Sequence, residues 1–447
     1  MQFIDNFAVG IENVKKDIMK KHIIILTLMV TSAINAAAQD INCAKEYSMY
    51  KEFVNVEAYS DARESFWKVF KSCPQFSKNI YIDGVKIYHD LMKKVGEDDD
   101  ALANAYVDTL GMIYMQRIKN FGEEANVLSR YGLDVMKYRR SDTAKLEGYH
   151  IVGKAIAVNP NDPDIAATTT YMQTACNLLT KNQIDNQQFF NDIAPLIMTT
   201  YRLRPTKSEK YGENIDLMLN AVKRVAAQNA SSKPSFDEMF VKAYRLPENI
   251  DEVSALTNTM NIFNADGNDL YAQCAERLYK QNPTAEAAAS IARYNRKQKN
   301  YDVAAKYYAE AVSMEQNAQK QSDYLYEAAT VANNLKKYHE AISLAKKSAA
   351  ASSKNGAPLL LIAAIYMVNA NSFGDDDYAH RTVYWVAADY AQKAKAADMN
   401  LTEESNSLTA KCKQQFPKKE EAFMHSVKAG DAVTVKCFDT ETTTARF

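Results

Sequence analysis

Side-chain catalysis needs acids, bases or nucleophiles that converge, so the histidines and cysteines are the first residues to place. His22, His89, His150, His339, His380 and His425 are scattered, with no HExxH or close pairing that would hold zinc. Neither CxxC, GxSxG nor GxxxxGK[ST] occurs. Acidic runs at 97–100 and 375–377 each stand directly before a predicted helix, where carboxylates cap free N–H groups. Asn264 to Asp269 echoes part of a calcium loop but lacks the distal glutamate, so it reads as a turn. The expectation is a protein that is not an enzyme, with no catalytic residue, no metal site and no cofactor. What chemistry remains belongs to six cysteines: Cys43, Cys73, Cys176, Cys274, Cys412 and Cys437.

Whether those thiols can oxidise depends on compartment. Met19-Lys20-Lys21-His22 is a basic start, Ile23 to Val30 a short apolar core, and Ala36 and Ala38 suit a signal peptidase. Residues 19–38 therefore read as a cleaved signal peptide, and residues 1–18 as an over-extended gene start. The apolar run is shorter than the ~20 residues of a spanning helix, so no membrane span is expected after cleavage. The expected address is the periplasm. A net charge of −1 with both signs interspersed gives no reason to expect nucleic acid as a partner. Only 13 Gly and 10 Pro in 447 residues point to an all-α chain.

The elements that carry these residues repeat. In residues 287–314, Ile291 and Ala292 precede Tyr301, Ala304, Tyr308 and Ala311 at the spacing of a two-helix hairpin. Ala328 and Ala329 precede Tyr338, Ala341, Ala345 and Ser348 in the same way, the two tyrosines lying 37 residues apart. A third pair joins Ala363 and Ala364 to Ala387, Ala391 and Ala394 across an insertion containing NSFGDDDYAHR. Small side chains at such positions let two helices approach closely. The same frame on the N-terminal stretch aligns Tyr50, Tyr59, Ala62, Phe66, Val69 and Pro74. It puts Cys43 at the start of one helix and Cys73 at the end of its antiparallel partner, so a Cys43–Cys73 disulfide is expected. Leu110, Gly111 and Tyr114 form a further, less regular unit, with a turn at Asn120 to Gly122.

Polar, Ser-rich residues 229–239, broken by Pro234, read as a linker. It would separate an N-terminal helical array (39–228) from a C-terminal one (240–411). Residues 412–447 change period: AVTVKCF alternates like a strand, Gly430-Asp431 marks a turn and TTTAR suits a second strand. A second disulfide, Cys412–Cys437, is expected to fasten this β-hairpin cap. Cys176 and Cys274 fall on opposite sides of the expected linker, which favours buried free thiols over a bridge.

The signal-like start, NCAKEYSMYKEF, residues 72–84 (SCPQFSKNIYIDG), the hairpin repeats and the ending DAVTVKCFDTETTTAR together resemble the exported tetratricopeptide proteins of Bacteroides-like bacteria. That resemblance implies a helical-hairpin solenoid with a small C-terminal cap, located in the cell envelope. It implies no reaction. In tetratricopeptide solenoids one face of each first helix lines a groove that commonly holds peptides. The matching positions here are Tyr47, Lys51, Arg293, Arg296, Tyr326, Thr330 and Asn333. The functional expectation is a periplasmic scaffold that binds a protein or peptide segment of the envelope. The alternative is a glycan- or peptidoglycan-binding module, since 27 tyrosines could supply stacking platforms; most of them fall at repeat packing positions.

Overall fold

The computed structural model describes residues 41–141, 143–231 and 233–447. The expected signal peptide (19–38) and the stretch before it (1–18) lie outside the described residues. The architecture is all-α: tetratricopeptide-like helical hairpins follow one another and end in a two-stranded β-hairpin. The chain divides into two compact units, one ending at Glu123 and joined by Tyr138–Arg140, the other holding the remaining residues.

The first unit contains α1 (Cys43–Asn55), α2 (Tyr59–Ser72), α3 (Asn79–Lys93) and α4 (Asp100–Phe121). Asn42 caps α1 by accepting from the Lys45 N–H at 3.0 Å. The expected Cys43–Cys73 disulfide is present and joins the start of α1 to the residue after α2, with the Cα atoms 5.9 Å apart. Tyr50 and Phe66 are both fully buried between the helices and meet edge to face. The Phe66 ring needs Gly84 opposite it, because a Cβ there would come within 2.6 Å of the ring. Asp99, in the first acidic run, caps α4 through the Leu102 N–H at 3.0 Å. That helix stops at the expected turn, where Gly122 takes φ +72°.

The second unit begins with α5 (Glu124–Tyr138), α6 (Ala144–Val158), α7 (Ile165–Thr180), α8 (Asn186–Leu203) and α9 (Glu209–Gln228). Gly132 of α5 and Gly148 of α6 meet backbone to backbone, since a Cβ on either would collide with the other's carbonyl oxygen. It continues through α10 (Phe236–Ala243), α11 (Ile250–Ile262) and α12 (Asp269–Gln281). One hydrophobic core runs from Met136 to Ala275 through all of these helices.

The expected linker at 229–239 is corrected by that core. Its polar start is a turn, but Ser235 opens α10 in a capping box with Glu238. Phe236, Met239 and Phe240, spaced i, i+3 and i+4, then bury one helical face. Phe240 meets Phe190 at 4.9 Å and Phe236 meets Phe263 at 5.0 Å between ring centroids. Apolar spacing at the end of the segment outweighs the polar composition at its start.

The three late hairpins are α13 (Ala285–Lys297) with α14 (Tyr301–Met314), α15 (Ala318–Asn334) with α16 (Tyr338–Ala351), and α17 (Ala357–Asn369) with α18 (Asp377–Ala397). Ala292, Ala304, Ala329, Ala341, Ala363 and Ala387 are all fully buried, as close nesting requires. The turns repeat as well. Glu57, Lys299 and Lys336 each adopt a left-handed φ near +60° two residues before Tyr59, Tyr301 and Tyr338. In each turn the next N–H reaches back five residues: Ala58 to Phe53, Asn300 to Asn295 and Lys337 to Ala332, at 2.8–2.9 Å. This is the bonding pattern of a Schellman stop, and it also ends helices at Asn182, Asn264 and Ser426. In the third late hairpin, Asp376 caps α18 through the Ala379 N–H.

After α19 (Thr402–Lys413) and the short α20 (Lys419–Met424), strands β1 (Ala432–Lys436) and β2 (Thr440–Thr444) pair antiparallel, Val433 opposite Thr443 and Val435 opposite Glu441. The expected Cys412–Cys437 disulfide is absent: both thiols are free. Cys412 sits fully buried in the core of the last hairpins. Cys437 lies just past β1 and donates its S–H to the Asp439 carbonyl at 3.0 Å. Burial pushes both thiols up, Cys412 to about 12 and Cys437 to about 11. Polar contacts fasten the hairpin instead. Lys346 bridges Asp439 at 2.6 Å and Glu441 at 2.8 Å, Glu441 also accepts from Tyr366 and Tyr390, and the Trp385 indole donates to the Arg446 carbonyl. Cys176 and Cys274 are free and buried.

Candidate functional site

Residues three, four and seven apart on a helix share one face. On α15 that rule groups Asp323, Tyr326, Thr330 and Asn333, and on α13 it groups Glu286, Arg293 and Arg296. Five of the seven expected groove residues therefore lie on two neighbouring helices of the second unit. Tyr47 and Lys51 are in the first unit.

Arg293 ties α13 to α15. Its guanidinium forks onto Glu327, with Nε 2.9 Å from Oε2 and Nη2 3.1 Å from Oε1, and Nη1 reaches Glu286 at 2.8 Å. Tyr308 donates to Glu327 and Tyr324 donates to Glu286, each at 2.7 Å. Burial works to raise the Glu327 carboxyl, but the Arg293 charge and its hydrogen bonds hold it down at about 2. Glu286 is lowered in the same way, against the same burial. With only 12% of its side chain exposed, Arg293 is a brace first and a ligand contact second. Arg296 is similarly engaged, 3.3 Å from Asp266, which Lys297 also approaches at 3.2 Å. The turn that echoed a calcium loop thus spends its inward carboxylate on two cations, while Asn268 caps α12.

The other members are freer. Tyr326 is half-buried, and burial raises its phenol. Thr330 returns its hydroxyl to the Tyr326 carbonyl at 3.0 Å, and Asn333 stands half-buried one turn on. Side chains of α8 and α9 come within electrostatic reach of this face. Tyr201 of α8 is raised by burial and then by the Glu286 charge. The Lys223 ammonium of α9 acts to lower both Asp323 and Glu327. The result is a helical face, here called the groove, that carries charges and a half-buried tyrosine.

Asp323, Glu286 and Glu327 belong to this site although the sequence reading omitted them. Asp323 carried a usable signal, lying seven residues before Thr330 and three before Tyr326. Tyr201 and Lys223 carried none, because their proximity depends on how the intervening hairpins stack.

In the first unit Lys51 gives its ammonium to buried Asp83 at 2.7 Å, and Tyr47 packs on Tyr50 and Phe76. Both serve packing. Several other tyrosines are core residues: Tyr81, Tyr88, Tyr149, Tyr271, Tyr308 and Tyr366 are almost wholly buried. On the other side of α14, α15 and α16 lies an apolar cleft of about 520 Å³, lined by Ala309, Val312, Leu325, Ala332 and Leu344 with Lys347 at its rim.

No family model matches the chain, and no curated protein does. Among solved structures, the chain is similar to the APC/C hetero-tetramer Cut9–Hcn1 at 12% identity and a TM-score of 0.31, covering 88% of this chain and 81% of that one. It is also similar to yeast Tom70 at 15% identity and a TM-score of 0.28, covering 87% and 93%. Scores this low leave the fold resting on the buried alanines and repeated turns described above.

Proposed function

We propose that this protein is a non-catalytic scaffold of the cell envelope, exported to the periplasm as a tetratricopeptide-class protein, which holds a protein segment in the α13–α15 groove. The observation that carries the reading is the Arg293 fork. It fixes two helices so that Tyr326, Asp323 and Asn333 are presented on a preformed face, and a partner then bears most of the ordering cost. A half-buried tyrosine on such a face is a usual interface hot spot. Export is supported by the signal-like start and by a Cys43–Cys73 disulfide at the N-terminal hairpin, which an oxidising compartment allows. Burial of 11 of the 27 tyrosines weakens the argument for a glycan ligand.

The test is co-purification from cells that make the protein, with the full chain tagged and its companions identified by mass spectrometry. The double variant Tyr326→Ala, Asn333→Ala is expected to weaken capture by about thirtyfold, equivalent to a hot spot of about 2 kcal/mol, with helicity unchanged. Equal capture by both proteins would remove the groove from consideration.

A further inference from the structure

Asp323 is the carboxylate the groove leaves unpaired. Glu286 and Glu327 share Arg293, and Asp266 has Arg296 and Lys297. Among the described residues Asp323 accepts only from the Gln319 amide at 3.1 Å, and no cation stands within ion-pair distance of it. The Lys223 charge acts on it without forming an ion pair. Although its side chain reaches solvent, the surrounding groove desolvates it, and Glu327 nearby adds like charge; together these push its carboxyl up to about 6. Such a group gains more from an incoming cation than a fully hydrated surface aspartate does.

The face is also longer than one charge. Asp323 to Asn333 spans about 15 Å of helix, at 1.5 Å per residue, room for four or five residues of extended chain. Tyr326 lies one turn from Asp323 on the same face, where its ring can receive an aliphatic stem or a cationic head.

Resting on the groove reading above, we infer that the occupant is an extended polypeptide segment carrying a lysine or arginine, whose cationic head pairs with Asp323 while its stem lies along Tyr326. Glu286 and Glu327 are unavailable for this contact because removing them from Arg293 would strand buried charge. Asp323 is therefore a specificity-determining residue.

The experiment is selection of the immobilised full chain against a random dodecapeptide phage library, run in parallel on the wild type, Asp323→Asn and Tyr326→Ala. Asp323→Asn removes an exposed, uncompensated charge, so the variant is expected to keep its helicity. The wild type is expected to enrich peptides containing Lys or Arg, and Asp323→Asn to lose that enrichment. For the best peptide, Asp323→Asn or a Lys→Gln exchange in the peptide should each weaken binding about tenfold. Both together should cost little more than one alone, as a double-mutant cycle requires of a direct pair. Peptides that need Tyr326 but show no basic enrichment would overturn the cation pairing and leave the groove standing. Peptides indifferent to Tyr326, or no peptides at all, would overturn both.

Discussion

Arg293→Ala is expected to destabilise the second unit by about 3–5 kcal/mol, the usual cost of stranding a buried charge. The guanidinium neutralises Glu286 and Glu327 together, and its removal leaves two carboxylates in a site that disfavours their ionised forms. Two tryptophans make the effect local to read: Trp67 lies in the first unit and Trp385, fully buried, in the second. In a Trp67→Phe background, urea unfolding followed by Trp385 fluorescence should show the midpoint falling sharply. An unchanged midpoint would mean that the fork contributes nothing net.

The same cluster fixes a sign for pH. Glu327 is lowered to about 2 from 4.5 and Glu286 is lowered too, so their contribution is complete above pH 4.5 and drains away as pH falls toward 2. Asp192 and Asp323, raised from 3.8 to about 6, act oppositely: stability falls as pH rises through that interval. Arg293→Ala should abolish the first dependence and leave that of Asp192, on which Arg293 does not act, in place. The gap between wild type and variant therefore narrows on acidification from pH 5 to 2.

The second large effect belongs to the N-terminal hairpin. Reducing the Cys43–Cys73 bridge, or replacing both residues by serine, is expected to cost about 3.5 kcal/mol, from the closure entropy of a loop with sequence separation 30. Among the described residues this hairpin has a neighbour on one side only, so the covalent tie adds to limited stacking. In a Trp385→Phe background, Trp67 fluorescence should report unfolding at lower urea with reductant than without. Coincident curves would show the bridge to be dispensable. The four other cysteines are free, so reductant has no second disulfide to act on among the described residues.

The parts legible in the sequence were those that a short window determines. Ala292, Ala304, Ala329 and Ala341 announce close helix crossings because the small side chain is itself the condition for approach. Cys43 and Cys73 were readable as a pair because repeat length fixes which hairpin ends meet. Cys412 and Cys437 were not, because no repeat length relates a helix end to the residue after a strand, and Lys346, Tyr366, Tyr390 and Glu441 hold the hairpin without a bridge. The Gly132–Gly148 crossing is silent in sequence because each glycine has meaning only against the other. Arg293 was read as an inward-facing contact. Its position was informative, but its role depends on carboxylates supplied by the next hairpin, and those turn it into a brace. Lys223 reaches the groove from about a hundred residues away, beyond any local spacing rule.

The claim on which the account turns is that the α13–α15 face, and not the apolar cleft behind it, holds a protein. Photo-crosslinking in intact cells tests this directly, with a benzophenone side chain placed at Tyr326 or Asn333 in the groove, or at Ala309 or Lys347 on the opposite face. The account predicts one discrete protein adduct from the groove positions, weakened by Asp323→Asn, and none from the other two. Adducts from Ala309 and Lys347 with none from Tyr326 and Asn333 would contradict it.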